Sequence, residues 1–116
     1  MSGSDNAVFI VEPSVTIVEE VGIPTVFTLH QNYPNPFNPV TTLMYDLPDN
    51  NHVTLTIYDL NGRVINLLVN ANQHTGHKSV QWNATDMHGK PVSAGVYIYQ
   101  IRAGAFVQTK KMVLLK

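Results

Sequence analysis

Residues His52–Tyr58 read HVTLTIY, and that alternation decides the fold class. Val53, Leu55 and Ile57 fall on one side of an extended chain, and Thr54, Thr56 and Tyr58 on the other. A period of two marks a half-buried β-strand. Burying each of the three aliphatics contributes about 1.5–3 kcal/mol. Upstream, Leu43, Tyr45 and Leu47 alternate in the same way until Pro48 stops the strand. Downstream, Asp59-Leu60-Asn61-Gly62 carries a tight-turn signal at Asn61-Gly62. Arg63–Val69 is the expected return strand, followed by a polar loop over Asn70–Gly76. His77–Trp82 is another strand, with Val80 and Trp82 on one face. Asn83–Pro91 is turn-rich, and Gly89 is a candidate for positive φ. Gly95–Arg102, GVYIYQIR, is aromatic and β-branched on both faces, which suits a central strand. Ala103-Gly104 turns the chain into a last strand, Phe106–Leu115. No segment reads as a helix. Seven to eight antiparallel strands, with turn signals about every 8–12 residues, predict an all-β immunoglobulin-like sandwich. The Cys-Trp-Cys hallmark of antibody domains is missing, which leaves Trp82 to fill the core alone.

The bulk numbers fit that class. A chain of 116 residues is one ordinary domain. It is 44% hydrophobic, enough for a core, and its 13% charge lies below the roughly 25% of typical domains. No apolar run approaches the roughly 18 residues a membrane helix needs, so no membrane insertion is expected. No signal peptide is evident; Met1-Ser2-Gly3-Ser4 reads as an artificial start, which leaves a natural leader open. The chain has no cysteine, so disulfides, thiolate nucleophiles and thiolate metal sites are excluded, while the compartment stays open. A net charge of −1 argues against nucleic acid as a partner. Residues 1–26 carry Asp5, Glu12, Glu19 and Glu20 with no Lys or Arg, whereas residues 27–116 carry seven basic and four acidic side chains, a net +3. Within residues 1–25, the β-prone patches Val8–Val11 and Val15–Val18 flank Glu12-Pro13. That stretch reads equally well as a linker or as an extra N-terminal strand. The domain proper is placed at residues 26–116.

Ahead of the strands lies Gln31–Pro39, QNYPNPFNP. Pro34, Pro36 and Pro39 each fix φ and push the preceding residue toward extended geometry, which excludes helix and a central strand. Asn32, Asn35 and Asn38 are expected to bond back to nearby backbone amides. Tyr33 and Phe37 are expected to anchor the loop, with Phe37 packed against the sandwich. The loop reads as a rigid structural brace. Trans bonds are expected before its prolines, since cis is roughly 5–6% of such bonds.

Taken together, FTLHQNYPNPFNPVTTLMYDLP (Phe27–Pro48), LTIYDLNGRVINLLV (Leu55–Val69), HTGHKSVQWNATDMHGKPVSAGVYIYQI (His74–Ile101) and TKKMVLLK (Thr109–Lys116) resemble the C-terminal sorting domains of type IX secretion in Gram-negative bacteria. These are related to the immunoglobulin-like domain of flagellar hook-capping proteins. The resemblance implies a non-catalytic domain that directs an attached N-terminal cargo through the periplasm to the outer-membrane cell surface or beyond. It implies as partners the secretion translocon and a surface peptidase that commonly removes the domain. The residues implied in sorting are Lys110, Lys111, Met112, Val113, Leu114, Leu115 and Lys116, with Lys116 ending the chain as a sorting signal requires. The plain alternative is a last strand, with Met112 and Leu114 facing one way and Val113 and Leu115 the other. Capture of that strand by β-augmentation, with its lysines setting polarity, is the expected mode of recognition. The lysines equally protect an edge strand from indiscriminate pairing.

Other chemistry finds little support. Ser79 and Ser93 lack a nucleophile-elbow context. His74 and His77 have no third donor at ligand spacing, and His30, His52 and His88 read as strand-edge or turn residues. Asp46, Asp49, Asp59 and Asp86 lie near turns without calcium-loop spacing. A weak calcium site at Asp46 and Asp49, or at Asp86, stays open beside Asx-turn capping. No metal site, no cofactor and no enzyme activity are expected. Asn83-Ala84-Thr85 fits a glycosylation sequon but reads as a turn, with Ala84 where the family pattern usually has glycine. Two functional alternatives remain. One is a passive immunoglobulin-like spacer or assembly module. The other is a carbohydrate-binding accessory module presenting Tyr45, Tyr58, Trp82, Tyr97 and Tyr99, which requires those aromatics to face solvent.

Overall fold

Burial follows the alternation read from the sequence. In the computed structural model, which describes residues 23–116, Val53, Leu55 and Ile57 are completely buried while Thr54, Thr56 and Tyr58 are half-buried. The patches at residues 8–11 and 15–18 lie outside the described residues. The described residues form seven strands: β1 (Thr28–Leu29), β2 (Thr41–Leu47), β3 (Asn51–Tyr58), β4 (Val64–Gln73), β5 (Gly76–Trp82), β6 (Gly95–Ala103) and β7 (Phe106–Leu114). They make two antiparallel sheets, ordered β1-β2-β5 and β4-β3-β6-β7. This is the all-β immunoglobulin-like sandwich, with β6 in a central position as its composition suggests.

The two sheets bury their facing rows against each other. Trp82 fills the core beside Phe37, at a ring-centroid distance of 5.8 Å, and meets Tyr97 edge-on at 5.4 Å. Its indole N–H donates to the Thr85 carbonyl, so the only polar atom of the side chain is satisfied. Tyr97 donates to the carbonyl of Ser93, four residues upstream, in the manner of a tyrosine corner. These bonds let large aromatics replace the missing disulfide as the link between sheets.

The connection between β4 and β5 differs from expectation. The polar loop placed at Asn70–Gly76 shrinks to His74-Thr75, because Asn70, Asn72 and Gln73 stay paired with Thr54, His52 and Asn51. Asn70 and Asn72 sit exposed on an edge strand, where a polar side chain costs nothing. Thr75 closes the turn, donating its amide to Asn50 Oδ1 and its hydroxyl to the Leu47 carbonyl.

Two turns share one design that the sequence reading missed, Asp-x-x-Gly-Arg at Asp59–Arg63 and Asp-x-x-Gly-Lys at Asp86–Lys90. In each, the Gly N–H donates to the Asp carbonyl and the Asp N–H donates to the carbonyl four residues on. Each Asp Oδ1 accepts two backbone amides, from Asn61 and Arg63 in the first and from His88 and Lys90 in the second. Gly62 and Gly89 take φ of +85° and +80°, which L side chains resist. Asn61 does not join Gly62 at positive φ, so the hairpin is a three-residue loop and not a two-residue one. The Arg63 amide holds the Asp59 carboxyl below its ordinary range, as the Lys90 amide does for Asp86. Asx-turn capping is therefore what these two aspartates do.

Two substitutions test the packing. Leu55→Ala should cost about 2–5 kcal/mol in urea unfolding, as expected for a fully buried leucine. Ala84 is buried at φ +62°. Ala84→Gly relieves about 1–2 kcal/mol of left-handed strain but deletes a methyl worth about 0.8 kcal/mol and adds unfolded-state entropy of about 0.4–1 kcal/mol. The net shift should stay within about 1 kcal/mol of zero by the same measurement.

Candidate functional site

Strand β7 is the outer strand of the four-stranded sheet, and its register divides the proposed sorting residues by face. Leu114 lies opposite Gly95, Met112 opposite Tyr97 and Lys110 opposite Tyr99. Met112 and Leu114 are buried, and Lys110, on the same side of the strand, is half-buried. Lys111 is exposed and Val113 half-exposed on the other side, with Leu115 and Lys116 exposed beyond the strand. The two adjacent lysines are thus not equivalent: one leans toward the core and one projects to solvent.

The free edge of β7 is not open. The Phe37 N–H donates to the Val113 carbonyl at 2.9 Å, and the Leu115 N–H donates to the Phe37 carbonyl at 2.8 Å. Asn35 Oδ1 accepts the Val113 N–H at 2.9 Å, and Gln31 Nε2 donates to the Lys111 carbonyl at 2.8 Å. The loop therefore acts as a short parallel strand laid along Lys111–Leu115. Backbone capture of this stretch by β-augmentation, the mode expected from sequence, meets an edge already paired in cis. An incoming strand would have to displace the loop.

The loop is itself pinned from beneath. Phe37 is 1% exposed, its ring against Trp82. Tyr99 of β6 accepts the Asn32 N–H at 2.8 Å and donates to the His30 carbonyl at 2.7 Å. Burial pushes the Tyr99 hydroxyl up to about 12, opposed by its bond to Asn32, so it stays a neutral donor. Asn32 is buried, with its amide donating to Thr41 Oγ1 and the Pro34 carbonyl, and Thr41 donates to that same carbonyl.

Several expectations for the loop need correction. Tyr33 is 75% exposed and anchors nothing with its ring; its backbone N–H and C=O both pair with Thr42, which turns the side chain outward and the neighbouring Asn32 inward. Asn35 bonds not to a nearby amide but to β7, and Asn38 is exposed. The bonds before Pro34, Pro36 and Pro39 are cis, not trans, a geometry the tertiary amide of an X–Pro bond tolerates at small cost.

The remaining candidates are dispersed. His77 does not meet His74. Instead Asp46 accepts from His30 at one carboxylate oxygen and from His77 at the other, at 2.9 and 2.8 Å. Burial pushes the Asp46 carboxyl up, but these two bonds and charges outweigh it and hold the group below its ordinary range. Asp49 is exposed and apart from this trio. Among the described residues, no group of three or more His, Asp or Glu is placed to hold a metal. Tyr45, Trp82, Tyr97 and Tyr99 are buried and Tyr58 is half-buried. The faces of Tyr45, Trp82, Tyr97 and Tyr99 are spent on the core, which leaves Tyr58 alone on the outer face, so these five do not form a sugar-binding platform.

A family described as "Secretion system C-terminal sorting domain" matches residues 31–115. Among solved structures, PorU from Porphyromonas gingivalis, described as dimeric and latent, is similar at a TM-score of 0.59 and 21% identity, covering 77% of this chain and 9% of that one. PorZ, described as an essential surface component of the type IX secretion system of the same organism, is similar at 0.54 and 20%, covering 76% and 11%. FlgD from P. aeruginosa is similar at 0.51 and 20%, covering 68% and 67%. At these identities the structures establish the fold alone, and this chain spans only about a tenth of PorU and PorZ. A search of curated proteins gives no match.

The cap is open to direct test. Asn35→Ala removes the acceptor of the Val113 N–H and should cost about 1 kcal/mol. Hydrogen exchange should quicken at Val113 while the ladder amides of Met112 and Leu114 stay protected. Phe37→Ala should cost about 3–5 kcal/mol and expose both Val113 and Leu115 to exchange.

Proposed function

The chain belongs to the secretion system C-terminal sorting domain family, and on that premise we infer that the export machinery reads the outward side chains where β7 ends. A domain of this family is a non-catalytic signal for type IX secretion, directing cargo through the periplasm to the cell surface or beyond. It implies that machinery and a cargo attached in cis.

Beyond this, residues 26–116 constitute the sorting domain, and the chain contributes no catalytic step of its own. The translocon and a surface peptidase are its partners. The recognition elements are Lys111, Val113, Leu115 and Lys116, with Met112 and Leu114 holding the strand from the core side and Lys110 supporting it at the margin. The Asn32–Pro39 loop is the brace that fixes them. The observation that carries this reading is the capped edge: with the backbone of Lys111–Leu115 already bonded, side chains are what the strand offers. Charge supports it. Strands β3, β4, β6 and β7 contain no Asp or Glu, and their only formal charges are Arg102, Lys110 and Lys111. An acidic partner surface complements such a sheet, gaining mainly in encounter rate and specificity. Topology adds a second support. Thr28 pairs with Asp46 near the β4–β5 turn, whereas Leu114 pairs with Gly95 and Phe37 at the other end. Cargo preceding β1 therefore enters at the pole away from the recognition residues.

The test is export of a fused reporter in a type IX host. Deleting Lys110–Lys116 should abolish export, but it also removes buried Met112 and Leu114 and so confounds recognition with folding. Lys111→Gln combined with Lys116→Gln is the cleaner variant. Both residues are exposed, and stability should change by less than about 0.5 kcal/mol. Export lost at an unchanged melting temperature supports recognition. Export retained in both the Gln variant and the deletion ends this reading and favours the passive spacer.

A further inference from the structure

We propose that the free edge of β4 is a pairing edge for a second copy of this chain, joined antiparallel across a two-fold axis at Ala71. The inference is independent of the export reading. It rests on the contrast between the two outer strands of one sheet. The β7 edge is capped by the proline loop and carries Lys110 and Lys111. Among the described residues the β4 edge has neither protection. Its ten residues, VINLLVNANQ, contain no charge and no proline, two of the devices that keep an edge from pairing, and its bulges, a third, lie before Val69 and leave Val69–Gln73 regular.

The orientation of its backbone follows from the ladder. Both backbone groups of Val113 point away from β6, toward the loop. Antiparallel pairs alternate between bonded and non-bonded, and no register shift interrupts β6–β7 or β3–β6. Carried across the sheet through Val96, Thr54 and Leu55, that alternation turns Val69, Ala71 and Gln73 toward β3. The N–H and C=O groups of Asn70 and Asn72 then point to the free edge. At the start of β4 that edge is covered, since Met87 donates to the Ile65 carbonyl and Asn66 donates to the carbonyls of Thr85 and Asp86. From Leu67 to Asn72 no described residue bonds to it.

The bulges fall between Leu55 and Thr56 and between Ile57 and Tyr58, so Val69–Gln73 is the regular stretch. Its midpoint is Ala71. A two-fold there sets Asn70 opposite Asn72 of the second copy and Asn72 opposite its Asn70, which exchanges four N–H···O bonds. Ala71 faces itself in a non-bonded pair, where Cα atoms approach to about 4.5 Å, and a small residue suits that approach. Nothing repels. The strand is uncharged and the whole chain carries −1, a value at which association is not opposed by net charge. A β7–β7 contact would instead oppose lysines.

The chain's lack of cysteine makes the test specific. Sedimentation of the full chain over rising concentration should show its mass moving from 12.9 kDa toward twice that value. Asn70→Pro removes an N–H that points away from β3, so the β3 ladder keeps its bonds. It should raise the dimer dissociation constant at least tenfold. Ala71→Cys should form a covalent dimer under mild oxidation, because the expected spacing lies within disulfide reach. Thr109→Cys on β7 should stay monomeric under the same treatment. The proposal is overturned by a chain that remains a single 12.9 kDa species at every concentration, even if an added extended peptide occupies the edge. A dimer that crosslinks at Thr109→Cys and not at Ala71→Cys overturns it equally.

Discussion

Phe37 does two things at once, and the rest of the molecule is arranged around them. Its backbone bonds to Val113 and Leu115 as a second partner for the last strand beside β6, and its ring lies in the core against Trp82. The first role covers an edge that would otherwise present unpaired groups. The second gives the loop buried apolar surface that helps hold it there, while its prolines lower the entropy lost on ordering. Neither role works alone. Without the ring, the edge bonds would compete with water for little net gain. Without the bonds, Val113 and Leu115 would offer a template to any extended chain.

That arrangement explains why the two outer strands of one sheet look so unlike each other. β7 is capped and basic, while β4 is uncharged and, among the described residues, unpaired on its outer side beyond its first residues. Edge protection is concentrated on the strand that carries the proposed sorting residues. The consequence is selectivity by exclusion: β7 is withheld from backbone pairing and shows only side chains, whereas β4 keeps its backbone groups available.

The fold was legible wherever period-two alternation met a turn signal, as in Leu43–Leu47 and His52–Tyr58, because one buried face forces that pattern. It was less legible at Asn70–Gln73. There polarity suggested a loop, but an edge strand tolerates asparagines that point to solvent. The paired Asp-x-x-Gly turns were readable in principle, since the same four-residue spacing to Arg63 and Lys90 occurs twice. The candidate site was half legible. Phe37 announced itself as an anchor by size and context. Tyr33 looked like its equal, and only the Thr42 pairing, a tertiary fact, turns it outward. The bonds from Asn35 to Val113 and from Gln31 to Lys111 span 78 and 80 residues. No local pattern encodes a contact at that separation.

Those long separations bear on what the export apparatus meets. The residues proposed for recognition are separated by most of the domain's sequence from the loop that fixes them. The loop in turn is held by Tyr99, through Asn32 and His30. Closing so long a segment costs entropy that only a completed core repays. The outward array of Lys111, Val113 and Leu115 on a capped strand is therefore a property of the folded domain, not of the heptapeptide itself. An unfolded tail of identical sequence would carry the same charges but would present free backbone groups and no fixed spacing. A receptor that reads the array as placed here is reading the folded state as well as the sequence.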